Sequence, residues 1–294
     1  MNTKSHTDHV ITLDNGRKLG YAEYGDPAGQ PIFYFHGWPS SRLEGENFHQ
    51  AGQKLGARII SPDRPGLGLS DFKKGFIINQ WPDDVLALAE TLQLERFAVV
   101  GVSSGAPYAF ACARFIPDRL TAAGSVSGIG PLDGPNPGQY LIKQELAITR
   151  LARRTPRLAR LLLYLESRKL KRNPAKVLTE MDKGLPDVDK AIFRDRPDLA
   201  AVFAQTVQEC LHQGMRGPIA SIALEGQSWG FHLEDIRLKF SVWHGELDNL
   251  VFPATAHYLA RRLPNCELTL YPNEGHISTI VNRAEEIVGT LIAG

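Results

Sequence analysis

The sequence predicts an α/β fold, a mostly parallel sheet with helices on both faces, interrupted once by a helical insertion. Three observations predict it. Short apolar runs such as "PIFYFHG", "ARIISPD" and "FAVVGVS" alternate with helical stretches such as "LEGENFHQAGQKLG" and "DDVLALAETLQL", the pattern of βαβ units. The runs are apolar at consecutive positions, as strands covered on both faces require. The alternation stops near residue 131 and resumes after about residue 236 with "FSVWHGELD", "ATAHYLARRL" and "ELTLYPNEGH".

Taken in order, "HVITL" and "KLGYAEYG" flank "DNG", whose Asn15 and Gly16 suit the positive φ angles of a tight hairpin. "LTAAGSVSGIG" is the last strand before the insertion. Residues 131–236 open with "PLDGPNPG" and then read as helix-forming without a strand pattern. Between residues 143 and 176, eleven Lys or Arg face only two Glu, interleaved with "LLLYL"; Pro156 interrupts the run, which reads as a solvated helix face rather than a lipid anchor.

Of 294 residues, 43% are hydrophobic and 22% charged, enough apolar material for one sizeable core. The 33 basic and 32 acidic residues leave a net charge of +1, so no global field argues for nucleic acid or a membrane surface, and neither partner is expected. Cys112, Cys210 and Cys266 match neither a disulfide framework nor a zinc-ligand spacing. The N-terminal stretch lacks the apolar core of a signal peptide, and no apolar run is long enough to span a bilayer. The expectation is a cytoplasmic protein without stable membrane insertion; its oligomeric state is not legible.

The doubled serine in "VVGVSSGAPYAFACA" fits GxSxG, with Ser103 in the central place between Gly101 and Gly105. The pattern alone recurs by chance; its setting between the apolar strand "FAVV" and the helical "APYAFACARF" carries the reading. At a sharp strand-to-helix turn, flanking glycines make room for crossing backbone, and the serine hydroxyl projects above the sheet. The backbone N–H of Ser104 then lies at a helix N-terminus, suited to developing negative charge.

A serine hydroxyl needs an adjacent base, and the base an orienting acid. His276 follows the last predicted strand and Asp248 the one before it, both at the sheet edge where ligand sites of open α/β sheets collect. His244 falls inside a strand, His257 on a helix, and His212 and His232 in the insertion. Glu246 and Asp133 remain alternative acids. A second amide donor is expected from "FYFHGWPSS", with the N–H of Trp38 facing that of Ser104 and the side chain of His36 structural. Trp38, Tyr108 and Trp229 are candidates for lining a pocket.

At these residues the chain resembles the α/β-hydrolase superfamily. "HGWPSSR" is similar to its oxyanion loop, "SPDRPGLGLS" to the loop after the fourth strand, "GVSSG" to the nucleophile elbow, "HGELDNLV" to the acid loop and "NEGH" to the histidine loop. The resemblance implies an eight-stranded, mostly parallel core formed by residues 1–130 and 237–294, with residues 131–236 as a helical cap over the active site. It implies Ser103, Asp248 and His276 as a catalytic triad, Trp38 and Ser104 as oxyanion amides, a small-molecule acyl substrate, and no cofactor or metal. Asp63 and Arg64 read as structural, through buried ion pairing and tight turning. "HGWP" is also similar to the loop of epoxide hydrolases and haloalkane dehalogenases, which place an aspartate at the elbow. Ser103 there implies an acyl-enzyme instead, with carboxylic esters as the default substrate and lactones, thioesters, amides or carbon–carbon bonds as variants. The competing expectation is a ligand-binding receptor or regulatory protein on the same scaffold, with little turnover.

Overall fold

A computed structural model of the chain describes residues 6–132, 139–172 and 184–294, and side chains of the middle stretch as far as residue 168. Eight strands form one sheet in the order β1-β2-β4-β3-β5-β6-β7-β8. They are β1 (His9–Thr12), β2 (Lys18–Gly25), β3 (Gln30–Phe35), β4 (Ala57–Pro62), β5 (Phe97–Val102), β6 (Leu120–Val126), β7 (Phe240–Gly245) and β8 (Cys266–Tyr271). β1 and β2 pair antiparallel and β2 pairs antiparallel with β4; every other pairing is parallel.

The helices among the described residues are α1 (His49–Leu55), α2 (Trp81–Thr91), α3 (Ala106–Phe115), α4 (Lys143–Arg154), α5 (Pro156–Arg172), α6 (Asp187–Asp195), α7 (Pro197–Cys210), α8 (Arg216–Glu225), α9 (Ala254–Arg262), α10 (His276–Asn282) and α11 (Ala284–Ile292). The period-two geometry of a strand sorts the core into two layers. Phe33, Phe35, Phe97 and Val99 face α2, α3 and α9, whereas Ile32, Tyr34, Ala98 and Val100 face α1 and α11. Both faces of β5 are therefore covered, which is why its sequence is apolar throughout.

The strand order sets where function can sit. The chain passes from β3 to β4 on one side and then returns to β5 on the other, so β3 and β5 are neighbours whose outgoing connections diverge. Phe35 at the end of β3 is opposite Gly101 near the end of β5. A crevice opens at such a switch point, beyond the carboxyl ends of the strands. Helices α4 to α8 all fall between β6 and β7. α7 is fastened to the core: Thr206 Oγ1 accepts the Ser41 N–H (3.0 Å) and bonds Ser41 Oγ (2.8 Å), Glu209 pairs with Arg42 (2.6 Å), and Gln213 just beyond donates to the Gly68 and Ser70 carbonyls.

One local expectation is corrected and two are sharpened. The β1–β2 turn is wider than a two-residue hairpin, closing from Leu13 N–H to Arg17 O (2.8 Å), and only Gly16 has positive φ, at +80°. Asn15 serves the turn through its side chain, which accepts the Arg17 N–H. Asp63 pairs with Arg42 (3.1 Å) and not with Arg64, because Arg64 is turned toward backbone carbonyls described below. On α5, Arg157 and Arg168 are exposed as a solvated face demands, but so are Leu158, Leu161, Leu162 and Leu165. Their i, i+3, i+4, i+7 spacing is an outward apolar row. Residues 173–176 of the basic run lie outside the described residues.

Phe110 on α3 is fully buried, with ring centroids 4.7 Å from Phe240 and 6.0 Å from Trp229. Phe110→Ala is expected to cost about 3–5 kcal/mol of unfolding free energy, because the lost ring leaves a cavity between α3 and β7. A urea titration measures it.

Candidate active site

Ser103 follows directly on β5 and has φ +51°, the left-handed region that costs a non-glycine residue on the order of 1–2 kcal/mol. The surroundings enforce it. A Cβ on Gly101 would meet the Gly105 carbonyl oxygen, and one on Gly105 would meet the Phe35 carbonyl oxygen, so strand, turn and helix cross at backbone contact. Ser103 O accepts the Ile129 N–H (3.1 Å), tying the turn to the segment after β6. Ser104 lies in the first turn toward α3, where amide groups lack intrahelical partners.

On the neighbouring β3 connection, the Gly37 N–H is taken by both carboxylate oxygens of Glu44 at 3.1 Å. The Gly37 carbonyl accepts from Arg64 Nη2 (2.7 Å) and bonds His36 Nδ1 (2.9 Å). His36 Nε2 accepts the Arg64 N–H (3.5 Å), so Nδ1 carries the ring proton. Burial, followed by the Arg64 charge, holds His36 well below its ordinary pKa and therefore neutral. In a trans peptide the N–H is opposed to the C=O, so clamping the Gly37 carbonyl directs the Trp38 N–H away from Arg64. That N–H has no hydrogen-bond partner among the described residues. Arg64 Nη1 reaches the Ser104 carbonyl (2.9 Å), so one buried guanidinium joins the β3 loop to the turn at Ser103.

His276 is the first residue of α10. Its Nδ1 bonds Asp248 Oδ2 at 2.7 Å, with both side chains buried. Asp248 Oδ1 accepts the N–H groups of Leu250 and Val251, each at 2.9 Å, and His244 Nε2 lies 3.3 Å from Oδ2. Burial alone would raise the Asp248 pKa, but the His276 charge and hydrogen bonds from His244 and His276 hold it below the usual carboxylate range. Burial alone would lower the His276 pKa; Asp248, then Asp189 and Glu44, outweigh it and raise the value above 6.5. With the Nδ1 proton donated to Asp248, Nε2 is the free lone pair.

Ser103 and His276 line the same cavity of about 240 Å³, with Gly37, Trp38, Glu44 and Glu145. Its remaining wall is largely apolar and includes Leu185, Ile192, Phe193, Leu199, Val202 and Phe203. Trp38 also donates its indole N–H to the Pro218 carbonyl (3.2 Å). Tyr108 and Trp229 do not line this cavity: α3 turns Tyr108 against Trp81 and the Arg64 guanidinium, and Trp229 stacks on Phe110. Of the alternative acids, Glu246 is exposed and Asp133 lies outside the described residues. His212, His232 and His257 are exposed. No group of three or more His, Cys, Asp or Glu among the described residues is placed to hold a metal ion.

Ser103, the imidazole and the two strand-end loops meet at the switch point of a β-sheet of this order, and across residues 30–282 the sequence matches the family model for the alpha/beta hydrolase fold. This chain belongs to the α/β-hydrolase fold family. It is similar to a non-heme chloroperoxidase of Streptomyces lividans, 33% identical over 42% of this chain and 45% of the relative. It is also similar to a bifunctional esterase/perhydrolase of Acinetobacter calcoaceticus, 31% identical over 42% and 45%. These alignments span less than half the length of either relative. Among solved structures, an esterase of Exiguobacterium antarcticum superposes with TM-score 0.73 at 18% identity, over 98% of this chain and 100% of that one, a likeness of fold.

Within that fold, several residues of this hydrolase-family chain carried no sequence signal. Glu44 and Glu145 bring carboxyl groups to the cavity; burial, partly offset by His276, raises Glu145 to about 7. Burial also raises Glu225 on α8 to about 8, against the opposing charge of Arg64 and with a hydrogen bond to Ser104. Asp189 touches the backbone of His276. Only the Arg64 clamp had a visible cue, a lone arginine beside Asp63 in a glycine-rich loop next to the elbow.

Arg64→Met, which keeps length but removes the donors, is expected to lower unfolding free energy by about 3–5 kcal/mol, since two buried carbonyls lose a charged partner. The urea midpoint reads this directly.

Proposed function

We propose that the chain is a serine hydrolase that cleaves a carboxylic ester, with Ser103 as nucleophile, His276 as base and Asp248 as the acid that orients it. The observation that carries this reading is that Ser103 and His276 share one cavity while Asp248 bonds His276 Nδ1. That bond leaves Nε2 as the proton acceptor for the Ser103 hydroxyl.

As the hydroxyl oxygen attacks the substrate carbonyl, His276 takes its proton. Negative charge then collects on the carbonyl oxygen, where the N–H groups of Trp38 and Ser104 receive it. His36 and Arg64 act as positioning residues by fixing the Gly37 carbonyl. His276 next protonates the leaving alcohol, and the acyl group remains on Ser103. A water molecule, deprotonated by the same imidazole, attacks the acyl-enzyme and releases the acid. We read residues 131–236 as the cap whose helices wall the cavity. The apolar wall supports an apolar acyl or alcohol portion, and likeness to an enzyme described as an esterase supports the bond class.

Ser103→Ala is expected to reduce turnover of an aryl ester by about a thousandfold or more, because the triad acts as a unit; steady-state hydrolysis assays measure the loss. A base must be neutral to accept a proton, and the raised His276 pKa delays neutrality as pH rises. In a pH profile of kcat/KM, the acid limb should therefore be centred above about 6.5.

A further inference from the structure

Asp189, on α6, is fully buried. Its Oδ2 accepts the backbone N–H of His276 and its Oδ1 that of Ser278, each at 2.8 Å. These amides belong to the first turn of α10, where N–H groups find no partner within the helix. The local hydroxyl that could cap them, Ser278 Oγ, accepts the Gly275 N–H instead (2.7 Å). The cap of the histidine's own helix therefore comes from a residue 87 positions earlier. A Cβ on Gly275 would stand 2.6 Å from either Asp189 carboxylate oxygen, so the glycine before His276 is what admits the carboxylate.

The next helix, α7, has anchors of its own in Thr206 and Glu209, with Gln213 just beyond it, so the Asp189 contact is not what holds α7 to the core. Among the described residues Asp189 forms no ion pair with Lys or Arg, so its charge is left facing the α10 N-terminus and the imidazole. The charged and titratable groups facing His276 are Asp248 after β7, Asp189 on α6, Glu44 after β3 and Glu145 on α4, with His244 behind Asp248.

We infer that Asp189 is a positioning residue for His276: it fixes the first turn of α10, and so the direction of the ring, and its carboxylate stabilises the imidazolium formed when the ring takes a proton. The inference rests on the triad reading above. It assigns to a helix outside the sheet a part in holding the base, and it gives Gly275 its reason.

The test compares Asp189→Asn, which removes the charge and one acceptor, with Asp189→Glu, which keeps the charge but displaces it. Three quantities are measured: kcat/KM against pH on an aryl ester, the His276 ring titration by NMR in the free protein, and thermal melting. For Asp189→Asn, kcat should fall about tenfold to a hundredfold through misdirection of the ring, with KM nearly unchanged because Asp189 does not line the cavity. Its acid limb and ring titration should both move to lower pH by about half a unit or more. Asp189→Glu should lose kcat while the limb stays in place. Wild-type kcat in either folded variant overturns the inference, and so does an unmoved His276 titration in the Asn variant. If the Asn variant does not fold, kcat of the Glu variant decides. A wild-type protein that hydrolyses no ester would remove the triad reading, while the ring titration, which needs no substrate, still decides for or against Asp189.

Discussion

The contact on which the site depends is the crossing of β5, its turn and α3 at backbone distance. With no room for a side chain at Gly101 or Gly105, the chain cannot relax Ser103 out of the left-handed region without parting the helix from β3. The strain at one residue is thus held by the packing of a whole layer, Phe110 and its neighbours included. Because β3 and β5 are adjacent and their connections diverge, the same crossing brings Ser103 beside Gly37, and the Arg64 guanidinium closes the gap between them.

The electrostatics of the cavity need a balance. Asp248, Asp189, Glu44, Glu145 and Glu225 all stand around the imidazole or the elbow, and five full negative charges would oppose any anion forming at Ser103. Burial pushes Asp248, Glu145 and Glu225 alike toward the protonated form, and the partners of each decide the outcome. Asp248 has hydrogen bonds and an imidazole to hold it ionised. Glu145 and Glu225, raised to about 7 and about 8, carry a large share of proton near neutral pH, which removes much of the repulsion. The second hydroxyl of the doubled serine has a place in this scheme, since the side chain of Ser104 is the hydrogen-bond partner of Glu225.

Much of the fold was legible because strand burial on both faces writes itself as unbroken apolar runs, and the β3 and β5 loops carry glycines where backbone must approach backbone. The positions marked by Ser103, Asp248 and His276 were legible for a related reason: each stands just beyond a strand whose end is clear in the sequence. What stayed hidden depends on contacts between distant segments. Nothing near Asp63 announces that Arg42 rather than Arg64 is its partner. Asp189 sits in an ordinary helix-starting run, "DVDKAIFRD", and its target appears only when α6 meets α10. Tyr108 was misleading because proximity to the elbow in sequence does not fix which way a helix turns a side chain. The run on α5 reads in the sequence as a solvated face on the strength of its charges, and nothing in it shows that Leu158, Leu161, Leu162 and Leu165 point outward as well.

A large part of the cavity wall and the groups beside Ser103 come from different parts of the chain. Leu185, Ile192, Phe193, Leu199, Val202 and Phe203 all fall between β6 and β7, whereas Trp38, Ser103, Asp248 and His276 follow strand ends. Substitutions in that part of the wall would therefore change the shape of the cavity while leaving the sheet edge untouched, provided the helices keep their footing. α6 carries Asp189 over α10 and α7 carries Thr206 and Glu209 against the segment after β3, so the room for change on α7 lies in Leu199, Val202 and Phe203, its apolar side chains that face the cavity.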